Sequence, residues 1–455
     1  MKERREISVL ETGAVPGGES IQTAAFQRAL DEVFLAGGGT VVVPAGSYRI
    51  GGVRLRSGCT LYLESGATLI GVRDPEAYGV LENDALQPIS ASDRTDRVWE
   101  RAKLGVPRDY SFLRAGSRWN HGVIRALDAE NIAVIGEAGA VIDGSDCFDE
   151  IGEEHYRGPH GINFHRCRNV TLRGYTAQNT GNWAHALWYC ENVTCEGVTV
   201  LGGHDGIHFT RCVNTRIRNC SFYTGDDCVA GFGNLNTVVT DCVCNTACSA
   251  FRFGGTNLLA ERCRCFGPAK YLFRGSLSPE EKRASARTSE TGRRNMLALL
   301  TYYADHSVEI PYQPGNLIFR NCTVENAARF LHYNFSGNEV WQMGSPLQSV
   351  RFEEVTAENV TVPLTAYGDP SVPLSLELRN VRVSFGAGME NSPCLRAAHF
   401  DRVALENVTF RGRTNGELMR LWSEPGELIC KGLVTETPIR ETIVNAAEPF
   451  SCKSI

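Results

Sequence analysis

Asparagine returns at nearly fixed intervals through the middle of this chain. Asn169, Asn192, Asn214, Asn236 and Asn257 are separated by 23, 22, 22 and 21 residues, and Asn131 opens a similar unit ahead of them. Apolar or small residues follow at alternate positions, as in Val170 and Leu172, Val193 and Cys195, or Leu258 and Ala260. They recur six and eight residues after each Asn, as in Val198 and Val200 or Cys242 and Cys244. Alternation is the period of a β-strand, whose successive side chains point to opposite faces. Short strands broken by turns, once per 22 residues or so, make one coil of a right-handed parallel β-helix, with coils about 4.8 Å apart. The expected fold class is therefore all-β, a solenoid of this kind with an N-terminal capping helix and loop insertions. The repeated Asn is expected to form an internal ladder of amide hydrogen bonds at a turn.

That repeat divides the 455 residues, read as a single β-helix domain. Residues 7–72 are the cap and first coils, 73–119 an insertion, 120–275 the central coils, 276–315 a second insertion and 316–455 the C-terminal coils. Ser20 is placed to cap a helix running from Ile21 to Leu35, with Ile21, Ala25, Leu30, Val33 and Phe34 near one face, and Gly37, Gly38 and Gly39 stop it. Such a helix covers the open end of a solenoid core. The first insertion reads as a lid or cleft wall, and the second as a charged loop or helix over the coils.

A formal net charge of −6 gives no reason to expect nucleic acid as a partner. No stretch approaches the roughly 18 apolar residues of a membrane span, and MKERREISVLETGAV lacks an apolar signal-peptide core. Seventeen Cys, with no export signal, point to reduced thiols in the cytoplasm. Several Cys sit in register, such as Cys167, Cys190 and Cys212, two before a repeat Asn, and this suits stacking in the interior. Their spacing matches no common zinc site, so neither a metal nor a cofactor is expected. Oligomeric state is left open.

Counting within the coils collects polar residues on one surface. Asp205 and Asp227 are both thirteenth after a repeat Asn, as is Ser249; His204, Asp226 and Cys248 are twelfth; His208, Ala230 and Arg252 are sixteenth. Neighbouring carboxylates repel, so one tends to hold a proton at neutral pH. This suits a general acid beside a general base, the pair that glycosidic hydrolysis uses. Asp205, Asp226 and Asp227 are the candidate catalytic residues. Candidates for substrate binding are His204, His208 and Arg252, with His160, Trp183 and His185 on preceding coils. His165, His332 and Tyr333 are further groove candidates, while Trp188 is read as core.

At these residues the chain resembles glycoside hydrolase family 28, the polygalacturonases. The likeness is carried by AAFQRALDEVFLAGGGTVVVPAGSYRIGG, AENIAVIGEAGAVIDG, NVTLRGYTAQNTGNWAHALWYCENV and TGDDCVA, over roughly the first 270 residues. It implies the pectin-lyase-like β-helix and inverting hydrolysis. Asp226 would be the acid, with Asp205 and Asp227 holding the attacking water. Three family motifs depart: NTD is GHD at Gly203–Asp205, GHG falls on Ala247–Cys248–Ser249, and the basic RIK motif falls near Leu272–Phe273–Arg274. Arg274 is the basic residue left for a substrate carboxylate. The resemblance thus implies retained bond cleavage with altered substrate reading, fitting a neutral or differently charged sugar better than galacturonan. Insertions that close a groove suggest action at chain ends. Two other readings stay open: a β-helix polysaccharide lyase or uronate epimerase, and a non-catalytic carbohydrate-binding solenoid.

Overall fold

A computed structural model describes residues 5–79, 99–101, 106–108, 118–284, 292–304, 310–335, 339 and 341–445. The chain forms a right-handed parallel β-helix whose residues divide into two compact units. One comprises Met1–Asp226 with Tyr271–Arg293, the other Asp227–Lys270 with Arg294–Ile455.

In the first unit each central coil supplies three short strands. Arg168–Arg173, Thr176–Gln178 and His185–Trp188 make one coil; Glu191–Glu196, Thr199–Gly202 and Ile207–Thr210 make the next. Equivalent strands lie side by side and parallel. Ile132, Val170, Val193 and Thr215 are in register in one row, and Val141, Thr176, Thr199 and Ser221 in another. The alternation seen in the sequence is the burial alternation: Val170, Leu172, Val193, Cys195 and Ile217 are all buried. Each such aliphatic side chain contributes about 1.5–3 kcal/mol of transfer free energy.

The asparagines do form a ladder, but on the outer surface. Asn169 Nδ2 donates to Asn131 Oδ1 at 2.9 Å, Asn192 to Asn169 at 3.1 Å and Asn214 to Asn192 at 3.1 Å, all exposed. Each Asn has φ between 54° and 57°. This left-handed turn conformation suits Asn, and it points the amide outward along the stack rather than into the core.

The helix spans Thr23–Leu35 and buries Ala25, Phe26, Ala29, Leu30 and Val33. The Phe26 ring meets Tyr48 edge-on at 5.5 Å. Two details differ from expectation. Gln22, not Ser20, precedes the helix, and no side chain caps it; the Gln22 amide instead bonds both backbone groups of Val15. Ile21 lies outside the helix and is 59% exposed.

In the second unit the coils continue with Leu258, Leu317, Val350, Leu376 and Val403 in one row. Asn257 donates to Asn236, and Asn316 to Asn257, both at 2.9 Å. The stretch 276–315 is not all insertion. Pro279–Arg283 is a short helix with a Ser278–Glu281 capping box, whereas Met296–Tyr302 is a sheet strand pairing with Ser249–Phe253. Its burial of Met296, Ala298, Leu300 and Tyr302 was hidden in the sequence by charged flanks. Most of the stretch 80–117, with its expected lid, lies outside the described residues. Among the described residues sixteen Cys are free thiols, all buried but Cys430, and no helix is long and apolar enough to cross a membrane.

Candidate active site

Strands Thr199–Gly202 and Ser221–Thr224 pair with Gly202 beside Thr224, and the chain then turns at Gly203 and Gly225. Both glycines are needed. A Cβ on Gly203 would lie 2.6 Å from the Arg274 side chain, and one on Gly225 would lie 1.7 Å from the Leu272 carbonyl oxygen. The segment bearing Arg274 can therefore lie directly on the two turns that carry Asp205 and Asp226. This accounts physically for a glycine ahead of His204 and Asp205.

Asp205 and His208 form a buried pair, with His208 Nδ1 at 2.8 Å from Asp205 Oδ2. A carboxylate oxygen accepts, so Nδ1 carries the proton. The imidazole lies flat on Trp183, with centroids 3.7 Å apart and planes at 4°. Trp183 also meets His160 at 5.4 Å and Trp119 at 5.0 Å. His160 is fully buried, and burial, with Arg125 and Arg157 nearby, pushes its pKa down to about 3.

His204 sits between two arginines. Arg157 Nη1 is 2.9 Å from its Nδ1 and Arg274 Nη1 is 3.3 Å from its Nε2. Burial, then Arg157 and Arg274, push its pKa well below the usual histidine value, so the ring is neutral. Arg157 also reaches Asp226, with Nη2 to Oδ2 at 3.2 Å. Arg274 in turn donates to Asp146 Oδ1 at 3.3 Å and lines a small pocket with Asp146, Asn179, Gly203 and Tyr271.

The second unit holds its own cluster. Asp227 Oδ1 accepts from the Ser249 amide at 2.8 Å, and its Oδ2 is 3.6 Å from Arg252 Nη1. The Arg252 guanidinium lies over Tyr303 at 4.2 Å and Trp341 at 5.1 Å. Arg252, Thr301 and His332 are in register on successive strands. His332 Nε2 is 3.6 Å from Glu339 Oε2, and that contact, with Arg252 and Arg329, holds the Glu339 carboxyl low. Cys248, beside Ser249 in the chain, is buried.

Among the sequence candidates, His185 is corrected. It is fully buried, its Nδ1 donating to the Gly206 carbonyl at 2.8 Å and its Nε2 accepting from the Tyr175 hydroxyl at 2.9 Å. Both nitrogens are used inside the coil because His185 falls in the inward-facing row with Ile162. Tyr333 is likewise interior, its hydroxyl accepting from the Leu347 amide at 2.8 Å. His165 is buried against Trp188. Arg157, Asp146, Tyr303, Trp341 and Glu339 escaped the sequence reading. They lie in connections between strands or in the second insertion, where no register points to them.

A parallel β-helix with histidines, arginines and carboxylates gathered on its turns is the class that fold and site define. The family model of glycosyl hydrolases family 28 matches residues 111–247. A probable polygalacturonase of Vitis vinifera is 27% identical over 231 residues, covering 49% of this chain and 43% of that relative. The chain thus spans less than half the length of that relative. The mannuronan C5-epimerase AlgE5 of Azotobacter vinelandii is 43% identical over 102 residues, 22% of this chain and 10% of that protein. The family 28 exopolygalacturonase structure of Yersinia enterocolitica aligns over 97% of this chain and 78% of its own, with a TM-score of 0.57 and 18% identity. That likeness establishes the shared fold.

Proposed function

We propose that the protein is a glycosidase of the family 28 type, cleaving an oligosaccharide or polysaccharide from its chain end with inversion. One observation carries this reading. Asp205 and Asp226 are nearly buried carboxylates that follow strands paired in register, so they issue from adjacent coils at the same turn. In the reaction, Asp226 as a carboxylic acid gives its proton to the glycosidic oxygen while the bond from that oxygen to C1 breaks. A water positioned by Asp205 adds to C1, and its proton passes to that carboxylate. His204, His208 and Arg274 supply polar contacts to the sugar, and Trp183 supports His208. The protein works in the cytoplasm, where its thiols stay reduced. The test is a panel of neutral and uronate oligosaccharides scored for released reducing ends and for product anomer. Absence of released sugar from every member would sink the reading.

A uronate epimerase is the second reading, favoured by the 102-residue similarity to AlgE5. It abstracts the proton beside a carboxylate without breaking the chain. Deuterium incorporation from heavy water at C5, with no new reducing ends, would select it over hydrolysis.

A further inference from the structure

Arg157 lies outside every repeat and every motif, yet it contacts two of the candidate residues, His204 and Asp226. It is 6% exposed. Nη1 faces His204 Nδ1 at 2.9 Å and Asn182 Oδ1 at 3.4 Å, and Nη2 faces Asp226 Oδ2 at 3.2 Å. On the other side its Nε faces Glu154 at 3.2 Å and Glu153 at 3.7 Å. A guanidinium, which has only donors, faces each ring nitrogen of His204; the shorter contact, Arg157 to Nδ1 at 2.9 Å against Arg274 to Nε2 at 3.3 Å, assigns the lone pair to Nδ1 and the proton to Nε2. Two fixed donor arms on one planar group can orient an imidazole and a carboxylate together, which an ammonium cannot do.

We propose that Arg157 is the positioning residue of this site, one arm aiming the Asp226 carboxylate and the other fixing His204 as its Nε2–H tautomer. The inference rests on the glycosidase reading for its kinetic part alone. The charged groups around the pair are Glu153, Glu154, Arg274 and the Tyr156 hydroxyl, with His160 near His204 and Asp227 next in the chain after Asp226. Asp146 and the Lys282 ammonium stand one contact further out, on Arg274 and on the Tyr156 ring. Within that set Arg157 is a cation in direct contact with the Asp226 carboxylate.

Two variants and two readouts test this. In Arg157→Met kcat should fall about a hundredfold with KM within about threefold, because the acid loses its aim while the sugar contacts remain. In Arg157→Lys kcat should fall about tenfold. The second readout is independent of turnover: ring 15N spectra of histidine-labelled protein, with the His204 signal assigned by its loss in His204→Gln. Wild type should show Nδ1 unprotonated and Nε2 protonated, and Arg157→Lys should show both tautomers. An unchanged kcat in Arg157→Met, or an unchanged His204 tautomer and kcat in Arg157→Lys, overturns the proposal. If wild type cleaves no glycan, the glycosidase reading fails and the nitrogen spectra alone decide the role of Arg157. If Arg157→Met does not fold, Arg157→Lys decides it.

Discussion

Asp226 and Asp227 are consecutive in the chain, and their surroundings could hardly differ more. Asp226 belongs to a dry, directional cluster: buried Arg157 reaches it and His204 together, and Asp205 is bonded to a His208 that lies flat on Trp183. Asp227 takes a backbone amide on one oxygen and, on the other, a looser contact to Arg252 at 3.6 Å. The Arg252 side chain keeps 25% of its surface exposed and rests on the faces of Tyr303 and Trp341. A buried, multiply bonded cluster holds proton positions and geometry. A cation on an aromatic surface keeps donors available to a ligand and costs little to rearrange. On the proposed reading the first set serves the chemistry and the second recognition.

The largest expected effect tests the first half of that contrast. Asp226→Asn should lower turnover by about 10² to 10⁴-fold, the usual contribution of a general acid. Far-ultraviolet circular dichroism and the thermal midpoint should stay close to wild type. Near-normal turnover on a substrate that the wild type cleaves would remove Asp226 from the acid role.

Dryness has its own signature in stability. His160 titrates near 6.5 when unfolded and at about 3 in the fold, lowered first by burial. A group whose folded pKa is depressed in this way, and whose neutral form is the buried one, contributes stability fully above about pH 6.5. That stability is lost as pH falls toward 3, because the unfolded chain binds the proton first. At pH 5 the loss from this one residue is about 2 kcal/mol. Urea midpoints of wild type and His160→Phe between pH 7 and 5 measure it. Parallel curves for the two proteins would mean that His160 is not held neutral.

Arg252→Lys probes the recognition half. It removes the planar stacking on two rings but keeps the charge. KM should rise about tenfold, equivalent to ~1.4 kcal/mol, with kcat within a factor of about two. A fall in kcat with KM unchanged would move Arg252 into the chemistry and erase the contrast. The smallest effect is expected at Cys248, a buried side chain. Cys248→Ala should change kcat/KM by less than about threefold, because it removes packing and not a proton donor. A loss matching that of Asp226→Asn would make the thiol part of the reaction.

Much of this architecture was legible in the residues alone. The strand alternation, the 22-residue spacing and the placement of Asp205, Asp226 and Asp227 on turns follow from a solenoid repeating one coil at a time. The same regularity misled in places. A period reports where a residue stands in its coil but not whether that row faces in or out. His185 was therefore read as a groove residue although its row points inward with Ile162. The asparagine ladder was expected inside and lies outside for the related reason that a left-handed turn aims the amide outward.

The sequence by itself determined the coil, the period and the carboxylates on its turns, because each is a local pattern repeated by parallel pairing. Only the tertiary structure decided which partners those carboxylates would have. Arg157 meets Asp226 from 69 residues away and Arg274 meets His204 from 70. Tyr303 and Trp341 close on Arg252 from separate later segments. Loops that obey no period are brought together by the stacking of coils that do, and the glycines at positions 203 and 225 leave them room to arrive.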